Sequence, residues 1–129
     1  MHRSGLIPNL MLIACAIAAP ATAGQRAISE SLVDCAALVT IPARAFPEHA
    51  AAAGEAGLSS VARAFLDGAK SCAAAEGQGA PEAHIAALFS RKSAFWDTHG
   101  MRFTVTEDFR DWMVYCRDLA GRHGVELGR

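Results

Sequence analysis

From Thr104 to His123 the apolar residues recur every three or four positions, at Val105, Phe109, Trp112, Met113, Cys116, Leu119 and Ala120. That period places them along one side of a helix of about four turns. Thr104-x-x-Glu107 reads as a capping box at its start. There the hydroxyl and the carboxylate each satisfy a backbone N–H that has no partner within the helix. His123-Gly124 reads as its end, a side chain that can carry positive charge followed by a residue suited to the left-handed cap. A helix with such a broad aromatic and thiol face owes its stability to whatever covers it. The chain must therefore supply further helices, and the same period recurs three times upstream.

A helix over 29–39 carries Leu32, Cys35, Leu38 and Val39 on its stripe, with Ile28 just before it and Glu30 and Asp34 on the opposite side. Pro42 is expected to stop it, because proline has no N–H to donate. A second helix covers 58–75, with Leu58, Val61, Ala62, Phe65, Leu66, Ala69 and Cys72 in register. Gly68 weakens its middle by about 1 kcal/mol relative to alanine. A third covers 81–98 and begins at Pro81-Glu82. Its buried side is Ile85, Leu88, Phe89, Phe95 and Trp96, with Lys92 interrupting. Phe103, in the link to the fourth helix (104–123), is placed to staple that helix's cap. Pro47-Glu48 and the alanines that follow predict a short helix over 47–53. Residues 125–129 read as a tail. No stretch alternates with period two for the length of a strand. The expected fold is all-α, a small antiparallel bundle of about four helices.

The first 23 residues read as a leader rather than as part of that bundle. Met1-His2-Arg3 is a short basic start, Leu6 to Ala19 is apolar apart from Pro8 and Asn9, and Ala21-Thr22-Ala23 is an A-x-A site. Cleavage is expected between Ala23 and Gly24, leaving one domain over 24–129. The apolar run is too short for a membrane span of about 20 residues. Leu12-Ile13-Ala14-Cys15 also resembles a lipobox, which would make Cys15 a lipidated N-terminus. Export to the periplasm or the medium is the first expectation, and an envelope-anchored lipoprotein the second. Arginine outnumbers lysine ten to two and alanine is abundant, the usage of a GC-rich bacterial genome.

Losing Arg3 with the leader leaves one basic residue fewer than the chain's 12, against 13 acidic ones, for a net charge of −2. That is not the electrostatic footprint of a nucleic-acid binder. Contact with a membrane is expected only if Cys15 carries lipid, and a protein partner of unspecified kind fits the composition.

Cys35, Cys72 and Cys116 remain after cleavage, and an oxidising compartment pairs two of them. In an up-down bundle the first and last helices are antiparallel neighbours. Cys35 lies roughly 9 Å along the first helix, and Cys116 roughly 10 Å from the same end of the bundle. Cys72 stands only about 4–5 Å above the end of its own helix. Cys35–Cys116 is thus the expected disulfide, with Cys35–Cys72 the alternative, and Cys72 is left as a free thiol.

No catalytic or metal constellation stands out. The histidines left after cleavage are His49, His84, His99 and His123, and no two are three or four apart. His99 and His123 each precede a glycine and suit helix ends. There is no C-x-x-C-H for haem and no G-x-S-x-G elbow, and no cofactor is expected. Glu107, Asp108 and Asp111 suit the positive end of the last helix dipole. The aromatic set Phe65, Phe89, Phe95, Trp96, Phe103, Phe109, Trp112 and Tyr115 is mostly core, with Tyr115 and one tryptophan off the stripe. An exposed ring beside Arg117 is a contact for a partner. The expected role is a non-catalytic binding or scaffolding domain. A redox or cofactor-binding bundle using the spare thiol or a histidine, and a periplasmic chaperone or inhibitor, are the rival expectations.

Overall fold

A computed structural model of the chain describes residues 15, 26–48 and 59–128. The described residues are all-helical, with four helices of seven or more residues. They are α1 (Ile28–Val39), a short α2 (Ile41–Ala45), α3 (Ser60–Ala75), α4 (Pro81–Asp97) and α5 (Glu107–Arg122), with a 3-10 turn at Met101–Val105 between the last two. The leader apart from Cys15, the cleavage position Ala23–Gly24, His49 and most of the short helix expected over 47–53 lie outside the described residues.

α1 is the axis of the fold. Its start meets the end of α3, where Ser29 Oγ donates to Glu76. α4 runs alongside in the same direction as α1: Lys92 reaches Glu30, and one turn further Asp97 reaches Arg44 just beyond the end of α1. α5 returns, with Phe109 and Trp112 near Leu38 and Ile41, and Leu119 and Ala120 near Leu32. Being covered by three helices, α1 buries Ser29, Ser31 and Asp34 as well as its apolar stripe. Asp34, expected on the outer side, is only 1% exposed. A carboxylate at that depth needs opposite charge and hydrogen-bond donors around it.

Pro42 does not end α1. Thr40 makes the break, its hydroxyl donating back to Ala36 O at 2.7 Å. Pro42 then occupies the first turn of α2, where its missing N–H costs nothing. The capping box at Thr104 is also corrected. α5 is capped by Thr106, whose Oγ1 accepts from Phe109 N–H at 3.2 Å. Thr104 Oγ1 instead donates to Met101 O within the 3-10 turn. That turn starts at Gly100, whose φ of +69° favours glycine. It takes up residues that periodicity alone assigns to the helix, and it leaves Val105 exposed.

Val125, read as tail, is buried. Its N–H donates to Ala120 O at 2.9 Å, so the chain turns back after α5 onto the core. It seats over Gly68, where a Cβ would stand 2.6 Å from Val125 Cγ2. Gly68 is therefore a point of close approach, which is the reason for a glycine in mid-helix.

Cys35 and Cys116 stand at disulfide distance, with Cα atoms 5.7 Å apart. Cys72 stands at disulfide distance from Cys15 and not from Cys35. In the uncut chain Cys15 packs against the main core cluster as the partner of Cys72, and the free Cys72 thiol expected above belongs to a chain that has lost Cys15 with the leader. No helix among the described residues is long and apolar enough to cross a membrane.

Candidate functional site

The end of α4, the 3-10 turn and the first half of α5 converge on one cleft. Trp96 and His99 sit three apart at the end of α4. Phe103 comes from the turn, and Asp108, Asp111, Trp112 and Tyr115 fall on one side of α5 at spacings of three and four. Together these seven residues line an open, shallow cleft of about 620 Å³. The chain has two tryptophans and one tyrosine, and all three line it.

Trp96 is the hub of the walls. Its ring is stacked on Phe103, with centroids 5.5 Å apart, and Trp112 meets it edge-on at 5.2 Å. His99 contacts both Trp96 and Phe103 at 5.1 Å. Tyr115 meets Trp112 edge-on at 5.6 Å, at the outer rim. Such pairs each contribute about 0.5–1.5 kcal/mol beyond the area they bury, so the walls are held as a set.

The back of Trp96 is fixed from the core. Its Nε1–H donates to Asp34 Oδ1 at 2.9 Å. The other oxygen, Asp34 Oδ2, accepts from Arg26 Nη1 at 2.7 Å and lies 3.4 Å from Lys92 Nζ. Lys92 in turn reaches Glu30 at 2.9 Å. The lysine that interrupts the apolar stripe of α4 is thus a counter-ion to the acid of α1. The indole N–H is engaged inward, and with Trp96 only 6% exposed most of its ring is covered by its neighbours.

The front is acidic. Asp108 and Asp111 are exposed at the mouth, and among the described residues neither has an ion-pair partner. Among the described residues no lysine or arginine lines the cleft.

Several expectations about single residues change with this geometry. His99 is a wall of the cleft as well as a residue of the α4 terminus. His123 forms the C-cap of α5, its backbone N–H donating to Leu119 and Ala120. Phe95, assigned to the buried side of α4, is 55% exposed. Phe103 packs on Phe109, at 5.8 Å, as well as forming the cleft floor with Trp96. Glu107 and Asp108 do occupy the first turn of α5, but Asp108 and Asp111 also face the cleft. Among the described residues no group of three or more His, Cys, Asp and Glu side chains is placed to hold a metal ion.

Lipidation of Cys15 and the Cys15–Cys72 pair exclude one another, since both consume the same sulfur. Asp34 is the site residue that periodicity missed, and Lys92 was its signal: one ionic residue on each of two apolar helices points to a buried pair. The cleft had a signal too, in that six of the chain's nine aromatic residues lie between Phe95 and Tyr115.

Comparisons with protein-family models, with curated proteins and with solved structures find no match. The cleft is accordingly read from its own chemistry.

Proposed function

We propose that this chain is a small exported helical domain that binds a ligand in the aromatic cleft without transforming it. The observation that carries the reading is the gathering of every tryptophan and tyrosine of the chain into one concave site. Trp96 is buried at 6% exposure, but Trp112 is half-buried and Tyr115 is 38% exposed. Rings left open to a cleft forgo burial that a core would give them, and binding is the usual return for that.

Export is supported by the leader-like start and by the Cys35–Cys116 pair at disulfide distance, which cleavage leaves intact. In a chain cut after Ala23, Cys72 loses its partner Cys15 and is left as a thiol. Intact mass of the protein from its host tests this. A chain starting at Gly24 with one disulfide and one thiol is expected, and a lipid-bearing Cys15 or an uncut chain would contradict it.

The binding reading is tested by the two indole N–H resonances of the oxidised protein, followed while neutral, cationic and anionic organic fragments are added. Saturable shifts of both indoles are expected with at least one class. Indoles that no fragment moves would overturn the reading.

A further inference from the structure

We propose that the cleft takes a small organic cation carrying an alkylated ammonium group. This deepens the binding reading and rests on it. The flat faces of indole, phenol and phenyl rings carry negative partial charge and attract cations, with tryptophan the strongest. Here the half-buried Trp112 and Phe103 and the exposed Tyr115 line one open space beside the His99 imidazole, with the buried Trp96 behind them.

The charges agree with the rings. Asp108 and Asp111 stand at the mouth without ion-pair partners among the described residues, and among those residues no lysine or arginine lines the cleft, whose one basic side chain is His99. An entering cation meets a negative rim and then negative ring faces. An anion would meet the same rim as repulsion, and the N–H of Trp96 is engaged elsewhere.

Alkylation follows from the walls. A primary ammonium holds its water tightly and needs acceptors for three N–H groups. The lining carboxylates are exposed, and the rings of Phe103 and Trp112 offer such a group no acceptor. An ammonium covered by methyl groups sheds its diffuse hydration easily and packs its methyls on the ring faces. The volume of about 620 Å³ admits a molecule of that size with room to spare.

The test is calorimetric titration of the oxidised full chain with choline, with tetramethylammonium, and with 3,3-dimethylbutan-1-ol, the neutral isostere of choline. Both cations are expected to bind saturably, with choline about tenfold or more tighter than the isostere, because shape is held constant and only charge changes. Added salt is expected to weaken the cations and leave the isostere unaffected. Asp111→Asn alters an exposed side chain and leaves the fold intact. It is expected to weaken choline severalfold without changing the isostere. Trp112→Leu is expected to abolish choline binding, and the Asp111 variant keeps the test decisive should the Trp112 variant fold poorly. Equal binding of choline and its isostere would overturn the cation proposal while leaving an apolar binding cleft. Binding of none of the three, together with indoles that no fragment moves, would remove both. Choline binding unchanged in Asp111→Asn and insensitive to salt would also overturn the charge argument.

Discussion

The two halves of this domain are built from different materials. Around the start of α1, the middle and end of α3 and the end of α5, the core is made of small and branched residues: Ala36, Ala69, Ala73, Ala120, Leu32 and Val33, with Phe65 its one fully buried ring. Both cysteine pairs belong to this half. Around the end of α1, the end of α4 and the start of α5 the contacts are made by rings, and the space between them is left open. Small residues let helices approach closely and leave little for a ligand to enter. Large flat rings meeting edge to face cannot fill a corner, so a cleft remains where α4 hands over to α5. Covalent staples at one end let the other tolerate unfilled volume.

The largest effect should come from the staple. Replacing both Cys35 and Cys116 by alanine opens a loop of 81 residues, and the chain-entropy model sets the cost at about 4–5 kcal/mol. Denaturant unfolding measures it directly. A loss below about 1 kcal/mol would mean that packing alone holds the stapled half.

Next is the link between the halves. Asp34→Ala leaves Lys92 without its buried partner and the Trp96 N–H without an acceptor. Removing one member of a buried pair costs about 3–5 kcal/mol, of which the half-exposed Arg26 returns some by turning to water. Tryptophan emission should change along with stability, because Trp96 loses its anchor. A stability loss with unchanged emission would separate Asp34 from the cleft.

The smallest effect is the sharpest test of close packing in the stapled half. Gly68→Ala should destabilise the native chain through the contact with Val125. In a Val125→Ala background the same change should stabilise by about 1 kcal/mol, the helix propensity of alanine over glycine. Equal effects in both backgrounds would place Val125 elsewhere.

The same contrast explains what the sequence alone could tell. The four helices were legible from spacing, because each buries one stripe, and α3 and α4 lie within two residues of their expected bounds. The levels of Cys35 and Cys116 were legible because helical rise is fixed. Asp34 was not, because a helical wheel assumes one wet side and α1 has helices on three. The true start of α5 was hidden by two threonines within three residues, either of which could cap. Tyr115 could be placed off the stripe from sequence. The cleft itself could not, because it depends on the Gly100 turn that swings Phe103 under Trp96.

A crystal structure of the oxidised protein grown with choline tests the central claim most directly. The account predicts the trimethylammonium group lodged against Phe103, Trp112 and Tyr115, with Asp108 and Asp111 at the mouth and the Trp96 N–H still on Asp34. A cleft closed by its own rings, or choline bound elsewhere on the surface, would contradict it.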